Sequence, residues 1–434
     1  VAAILIHTFG SLGDLHPYLA LARGLNARGH RAVIATSAGY RAHVERAGVA
    51  FHPVRPDLDD FGPFAEVARK VYDPRRGAEH IVRSLVMPRL VDTVDDLLDV
   101  AAHADLILTH PLSFAAQLIA RSLQRQWMST VLSPMVFLSV HDPPPLPPAP
   151  WLRTLFEISP ALYRTVFGAS RRLMHAWTQP VRDLARARGW PPPAEDPLFE
   201  GQYSPLGTLA MFSPLLAQPQ PDWPQRTSVT GFAIHDEAPS SDELRERLAA
   251  FLAAGPPPIV FTLGSSAIYD ARDFYRVSLE IARRLGRRAL LLTGAVPDNV
   301  VSPAPPEDVL AIDYAPHALV FPHAAAIVHQ GGIGTLAQAM RAGRPMLIVP
   351  FSHDQPDNAR RAAALGIARA VPRSRFDMRS GCEALHALLA LPQYEQAARR
   401  VQAQVLGEDG VCAACARIEQ VLDRPNSSAA SSLT

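Results

Sequence analysis

The sequence predicts an α/β protein built from two facing, doubly wound parallel-sheet domains with a cleft between them. Three observations predict it. Short apolar runs alternate with amphipathic helical stretches, the pattern of parallel strands joined by helices. That rhythm occurs twice, on either side of a proline-rich stretch. The chain has 434 residues, enough for two or three domains of about 100–200 residues each.

The first unit opens with Ala2–His7 as a buried strand, Leu15–Arg28 as a helix closed by Gly29, and Ala32–Thr36 as the next strand. Strand Asp105–Thr109, helix Phe114–Ser122 and strand Trp127–Leu132 continue it. Prolines crowd His141–Pro150, which reads as a loop because proline lacks the N–H that a helix interior or central strand needs. Trp151–Arg188 reads as helical, its Leu155, Phe156, Leu162, Tyr163, Phe167, Leu173 and Trp177 facing a core and its arginines facing water. Pro214–Pro224 marks a linker. Beyond it come strands Ile259–Leu263, Ala289–Thr293, Val309–Ile312, Ala325–His329 and Met346–Pro350, with helices Asp270–Leu285, Thr335–Ala342 and Gln355–Leu365. The expected division is a first domain over 1–213, a linker over 214–227 and a second domain over 228–405. A C-terminal helix over 406–425 and a Ser/Ala-rich disordered tail over 426–434 complete it.

Composition removes several function classes. Forty-two basic residues against 41 acidic ones leave a net charge of +1, without the basic excess of a nucleic-acid-coating protein. An apolar fraction of 48 % excludes disorder. The three cysteines, Cys382, Cys412 and Cys415, form no disulfide framework, and the Cys412/Cys415 pair lacks two further ligands for zinc. No apolar stretch reaches the roughly 20 residues of a spanning helix, and the apolar run Val1–Ile6 lacks the basic flank of a signal peptide. These features predict a cytoplasmic protein without nucleic-acid partners. Peripheral membrane contact through the Arg-rich helical stretch is the less favoured reading, since no lipidation motif supports it.

The strongest chemical signal is His329-Gln330-Gly331-Gly332-Ile333-Gly334-Thr335, between a strand and a helix. Glycines there let a ligand approach the backbone, and a helix start presents unpaired N–H groups with partial positive charge. The pattern suits a phosphate. A plain strand–helix turn with a satisfied histidine explains the same residues, so the neighbours decide. They are Tyr314-Ala315-Pro316-His317 upstream and Pro350-Phe351-Ser352-His353-Asp354-Gln355-Pro356-Asp357-Asn358 downstream.

With these blocks the sequence resembles the inverting nucleotide-sugar glycosyltransferases of the two-domain, GT-B type, a family that includes plant secondary-metabolite and bacterial antibiotic enzymes. Asp313 to Asn358 is similar to that family's donor signature, and Gly10-Ser11-Leu12-Gly13-Asp14-Leu15-His16-Pro17 to its N-terminal loop. Ser133-Pro134 and His141-Asp142-Pro143-Pro144 look most like bacterial rhamnolipid and flavonoid rhamnosyltransferases. The resemblance implies two Rossmann-like domains and a set of donor contacts. Tyr314 would stack on the nucleobase, and His317 would lie near the ribose. His329, Gly331, Gly332, Ile333, Gly334 and Thr335 would hold the diphosphate, with Ser265 beside it. Asp354, Gln355 and Asn358 would meet the sugar. Helix capping by Ser352 or Asp354 is compatible with that role.

The implied reaction joins an acceptor hydroxyl to the anomeric carbon and expels a nucleoside diphosphate. A hydroxyl is a weak nucleophile near neutral pH, so a base must take its proton. The resemblance places Asp14 in the base's loop, as base or electrostatic partner, and His110 after a later strand, to relay or orient, with His16 ranked third. Asp14 equally suits an N-cap for a helix beginning at Leu15. Desolvation is expected to raise its pKa toward that of a useful base.

The implied donor is a UDP- or dTDP-hexose, rhamnose or glucose, and the acceptor a small apolar hydroxylated molecule such as a flavonoid, another natural product or a lipid. Met87–Leu98 and Pro134–Phe167 are expected to line its pocket. No cofactor or metal ligand is assigned, since amides and His329 would neutralise the leaving group. A nucleotide-sugar epimerase and a non-catalytic nucleotide-binding relative are the alternatives. A dehydrogenase is disfavoured, because no G-x-G-x-x-G follows either opening strand.

Overall fold

The computed structural model describes residues 1–236, 241–301 and 306–423. Its first sheet contains β1 (Ala3–His7), β2 (Arg31–Thr36), β3 (Ala50–Pro53), β4 (Leu106–Thr109), β5 (Trp127–Val131), β6 (Thr208–Ala210) and β7 (Thr227–Val229). The second contains β8 (Ile259–Thr262), β9 (Ala289–Leu292), β10 (Val309–Ile312), β11 (Ala326–His329), β12 (Met346–Ile348) and β13 (Ala368–Ala370). The spatial orders are β3-β2-β1-β4-β5-β6-β7 and β10-β9-β8-β11-β12-β13. All of these pairings are parallel.

Both faces of each sheet are covered, which is why the strands are apolar throughout rather than alternating. In β1, Ile4 and Ile6 pack into one cluster and Leu5 into the cluster on the opposite face. Strand order reverses between β1 and β4 and again between β8 and β11. In such sheets the crevice outside the strands' carboxyl ends, at the reversal, is where ligands bind. The two reversals therefore nominate the loops after His7, Thr109, Thr262 and His329.

Seven helices position the site or brace it: α1 (Leu12–Ala27), α2 (Phe114–Ser122), α3 (Trp151–Ile158), α4 (Pro160–Met174), α5 (Ile333–Ala342), α6 (Gln355–Ala364) and α7 (Gly410–Leu422). Several expectations shift. The helical stretch 151–188 is broken at Ser159-Pro160 and again before Gln179-Pro180, because proline cannot donate within a helix. Leu162 and Leu173, expected in a core, are 50 % and 80 % exposed, while Tyr163 and Phe167 on the opposite face of α4 are buried. The expected linker 214–227 does not leave the first domain, since β7 begins at Thr227 and completes the first sheet. The chain crosses over only after Val229.

The expected C-terminal helix 406–425 is α7, separated by a short break from a helix ending at Leu406. It returns to α1, burying Ala414, Cys415, Ile418 and Val421 against Leu21 and Leu25. Complete burial of a side chain such as Ile418 is worth about 1.5–3 kcal/mol. Residues 424–434, including the tail expected at 426–434, lie outside the described residues. A further apolar cluster joins Val131, Phe137 and Phe212 of the first domain to Ile327 and Ile348 of the second.

Candidate active site

Asp14 enters the site through a capping box. Helix α1 begins at Leu12, three residues earlier than expected, because Ser11 is the N-cap and Asp14 lies at the third helical position. The Ser11 hydroxyl accepts from Gly13 N–H at 3.2 Å. The Asp14 carboxylate in turn accepts from Ser11 N–H at 2.8 Å and from the Ser11 hydroxyl at 3.2 Å. This reciprocal pairing satisfies the first-turn donors. Gly10 has φ +137° and takes the place any side chain would fill, since a Cβ there would collide with the Asp14 carboxylate.

His110, directly after β4, brings Nε2 to 3.7 Å from Asp14 Oδ1. Its Nδ1 accepts the Leu112 N–H at 3.2 Å, which leaves the neutral ring's proton on Nε2, facing Asp14. Burial pushes the Asp14 carboxyl upward, but His110 and the Ser11 donors outweigh that effect and hold it below the usual carboxylate range. The expected rise from desolvation is therefore corrected: Asp14 is ionised and oriented. His16 lies elsewhere, its ring centroid 5.6 Å from that of His235.

The second domain supplies the other wall. His329 ends β11 fully buried, and its Nδ1 accepts the Gly331 N–H at 3.1 Å. Its proton is thus on Nε2, which is buried without a hydrogen-bond partner among the described residues. Burial first, and neighbouring His317 second, lower its pKa to about 3, so the ring is neutral. Gly331 has φ +93°, and a Cβ there would approach Ile348 Cγ2 to 2.7 Å, so this turn requires glycine. Gly332 is the N-cap of α5, which has no side-chain cap and starts at Ile333 rather than Thr335. The two helix starts face each other: a Cβ on Gly334 would lie 3.9 Å from the Gly13 carbonyl oxygen.

Below α5, Asn358 ties the parts together. Its Nδ2 donates to the Gly331 carbonyl at 2.9 Å and to Asp354 Oδ2 at 2.7 Å. Asp354 is the N-cap of α6 yet makes no capping hydrogen bond. Burial raises its pKa to about 7, with the Asp14 charge adding to the rise and Asn358 opposing it. Two carboxyl groups in one cleft are thus pushed apart, Asp14 ionised and Asp354 holding a proton near neutrality, a division that suits different roles. Gln355 uses its amide oxygen to accept from Phe351 and Ser352 N–H at 2.8 and 3.3 Å, bracing the loop before α6.

The remaining expected contacts are more peripheral. Ser265 is exposed after β8, and its neighbour Ser266 bonds the Tyr72 hydroxyl of the first domain. Tyr314 is 43 % exposed. The His317 ring stacks on Phe321 at 4.3 Å between centroids. Sequence reasoning missed Ser11, Tyr72 and His353. The Ser11-x-x-Asp14 spacing is a readable capping-box signal, whereas Tyr72 carries no pattern and His353 lies within the donor block without a role of its own. His353 has φ +56° and its ring lies 5.6 Å from that of Tyr72.

No group of three or more His, Cys, Asp or Glu able to hold a metal occurs among the described residues. Asp57-Leu58-Asp59 has Asp-x-Asp spacing, but Asp57 caps a short 3-10 helix, accepting from Ser37, Gly39 and Leu58. Cys415 is buried on α7 and Cys412 exposed, both as free thiols. The residues expected at an acceptor pocket are largely core: Met87, Leu90, Val94 and Leu97 are buried together. Leu90 also borders a narrow crevice of about 20 Å³, lined with His7, Thr8, Phe9, Val54 and Val86. No helix among the described residues is long and apolar enough to cross a membrane.

Comparison with known proteins bears on this geometry. Residues 4–90 match the glycosyltransferase family 28 N-terminal domain, and residues 273–411 the erythromycin biosynthesis protein CIII-like C-terminal domain. The chain is 31 % identical over 430 residues to O-mycaminosyltylonolide 6-deoxyallosyltransferase of Streptomyces fradiae, covering 96 % of this chain and 97 % of that one. The chain belongs to the GT-B glycosyltransferases. It is also 25 % identical over 428 residues to the sterol 3-beta-glucosyltransferase UGT80B1 of Arabidopsis thaliana, covering 95 % of this chain and 66 % of that protein. The crystal structure of glycosyltransferase VinC in complex with dTDP shares the fold, with TM-score 0.66 and 20 % identity over 98 % of this chain and 100 % of that one. In this glycosyltransferase, both matched domains reach the cleft: Asp14 falls within the first, and His329 to Asn358 within the second.

Proposed function

We propose that the protein moves a hexose, rhamnose or glucose, from a dTDP- or UDP-sugar to a hydroxyl of a small apolar acceptor, with inversion at the anomeric carbon. One observation carries the reading: an ionised, oriented Asp14 stands on one helix start, and an uncapped glycine helix start faces it across the cleft. The acceptor classes proposed are flavonoids, other natural products and lipids. The 6-deoxyallosyltransferase and sterol glucosyltransferase relatives support acceptors of that apolar kind.

In the proposed mechanism the diphosphate lies on the N–H groups of Ile333, Gly334 and Thr335, with His329 Nε2–H as a further donor. As the acceptor oxygen bonds the anomeric carbon, the bond from that carbon to the diphosphate oxygen breaks. Asp14 takes the acceptor's proton. The leaving charge passes to fixed amide dipoles, which need no reorganisation during the reaction. His110 Nε2, 3.7 Å from Asp14 Oδ1, faces the carboxylate and helps orient it. Asp354, protonated near neutrality, can donate to a sugar hydroxyl as well as accept, and Asn358 holds it there. Tyr314 offers a flat face to the base, and His317 and Ser265 border the nucleotide.

The test is a thermal-shift panel of UDP, dTDP and their hexoses, followed by transfer assays with and without EDTA. A donor that binds the folded chain raises its melting temperature with occupancy. Stabilisation by a nucleotide sugar and transfer that survives EDTA are expected. Transfer abolished by EDTA and restored by Mg²⁺ would overturn the amide-only leaving-group account. Isomerisation of the sugar without acceptor would favour the epimerase reading, and binding without turnover on any acceptor the non-catalytic one.

A further inference from the structure

Helix α6 carries the proposed sugar contacts in its first turn and a charge cluster directly behind them. Asp357 and Arg361 are almost fully buried, with Arg361 Nε at 2.7 Å from Asp357 Oδ2. Arg360 pairs with Asp357 Oδ1 at 2.9 Å. The partner that completes the cluster comes from the other domain. Asp142, in the proline-rich stretch after β5, places Oδ2 at 2.7 Å from Arg361 Nη1 and Oδ1 at 3.0 Å from Arg360 Nη2. Arg153 of α3 approaches the same carboxylate at 3.7 Å, and Arg361 Nη1 also donates to the Leu216 carbonyl at 2.9 Å.

The stretch that presents Asp142 is itself anchored. Asp222 accepts from the Ser139 hydroxyl and from Val140 N–H, each at 2.7 Å. Five charges therefore meet at one interdomain point: Asp142 and Asp357 against Arg153, Arg360 and Arg361. Without Asp142, Arg153 keeps Glu157 at 3.5 Å, while Asp357 alone faces the Arg360 and Arg361 guanidinium groups of α6. A charge cluster from which one partner is removed leaves buried charge uncompensated and loses its geometry. The opposite end of the same segment is held as well. The His353 ring packs on Tyr72 of the first domain, 5.6 Å between centroids. The segment 353–361 is thus fastened to the acceptor-side domain at both ends, with Asp354, Gln355 and Asn358 between.

We propose that Asp142 is a positioning residue, which clamps α6 to the first domain and so sets the sugar-binding end of that helix against Asp14. The inference rests on the proposed transfer reaction for its consequence, but not for the clamp itself. Asp142 touches neither donor nor acceptor in the proposed mechanism, and the diphosphate contacts on α5 do not depend on it. Its loss should therefore damage turnover and leave nucleotide affinity intact.

The experiment compares wild type with Asp142→Asn, Asp142→Glu, Arg360→Gln and the Asp142→Asn/Arg360→Gln pair. Hydrogen exchange of the α6 amides is measured without ligand, UDP and dTDP affinity by calorimetry, and turnover with UDP-glucose or dTDP-glucose and a flavonol acceptor. In Asp142→Asn, exchange of α6 is expected to quicken at least about tenfold. Its kcat should fall about 10- to 100-fold, the cost of a small misplacement at a reacting centre, with nucleotide affinity unchanged. Asp142→Glu should recover part of both losses, and the double variant should fall little further than Asp142→Asn. Unaltered α6 exchange, or a wild-type kcat in Asp142→Asn, would overturn the clamp. Parallel losses of kcat and nucleotide affinity with no recovery in Asp142→Glu would reduce Asp142 to a brace of the fold. If wild type turns over no donor, the transfer reading fails by itself, and α6 exchange still decides the clamp.

Discussion

Two strand-to-helix turns face one another in this molecule, and they treat the same electrostatic problem in opposite ways. Every helix start leaves unpaired N–H groups and a partial positive charge. At α1 the chain meets that demand from within: Ser11 and Asp14 form a closed capping box, so a resident carboxylate occupies the positive end. At α5 the cap is Gly332, no side chain bonds the first turn, and buried His329 Nε2 has no partner among the described residues. One turn carries its own anion. The other carries none, and in the proposed mechanism it receives the donor's diphosphate. In the proposed mechanism that contrast lets a single architecture, used twice, supply a base on one side and a leaving-group cradle on the other.

The comparison breaks most visibly at the resident carboxylate. Asp14→Asn keeps a polar group able to cap but removes the proton acceptor, so kcat should fall by about 10²–10⁴ while nucleotide affinity holds. Steady-state turnover and calorimetry check the two halves. Full turnover in this variant would leave Asp14 as a helix cap alone.

Making the second turn resemble the first is the next test. Gly332 has φ −60°, which admits any side chain, and a Cβ there meets only the Gln330 amide at 3.0 Å. Gly332→Asp would place a carboxylate where the diphosphate is expected. Like charges brought together cost several kcal/mol, so UDP or dTDP affinity should weaken by about 100-fold or more. The melting temperature without ligand should not fall, because aspartate is a better N-cap than glycine.

A third effect concerns the carboxyl that keeps its proton. The Asp354 pKa is raised from 3.8 to about 7 by burial and the Asp14 charge. The folded chain therefore holds a proton there that the unfolded chain releases, and stability from this group is present below pH 3.8 and lost as pH rises through about 7. Melting curves across that window should decline less in Asp354→Asn than in wild type. Equal slopes would remove Asp354 from the proposed division of roles. The smallest effect belongs to the cap itself. Ser11→Ala should cost about 0.5–2 kcal/mol in denaturant unfolding, with turnover falling modestly because Ser11 N–H still orients Asp14.

The fold is legible in the sequence because its signals are local and redundant. Near-continuous apolar runs such as Ala3–His7 and Ala326–His329 announce buried parallel strands, and glycine turns locate the helix starts. The turn 329–335 is readable for the same reason: glycine is required at a positive φ, and the residues that need it are adjacent in sequence. What escapes is non-local. Nothing around residue 227 shows that β7 pairs with β6, since strand pairing is a contact across the fold. The burial of Leu162 and Leu173 depends on which face of α4 meets a neighbour, and both turn outward. The Asp14 pKa depends on His110, 96 residues away in sequence, and on donors in its own loop that exceed the effect of burial. The Asp142 cluster joins residues more than 200 positions apart.

The proposed transfer depends most on the pairing of an anion with the α5 start. A crystal grown with dTDP or UDP tests it directly. Diphosphate density within hydrogen-bond distance of the Ile333, Gly334 and Thr335 amides and of His329 Nε2, with Asp14 across the cleft from it, is the predicted result. A nucleotide bound elsewhere on the chain, with Gly331 and Gly332 in contact with solvent alone, would contradict it.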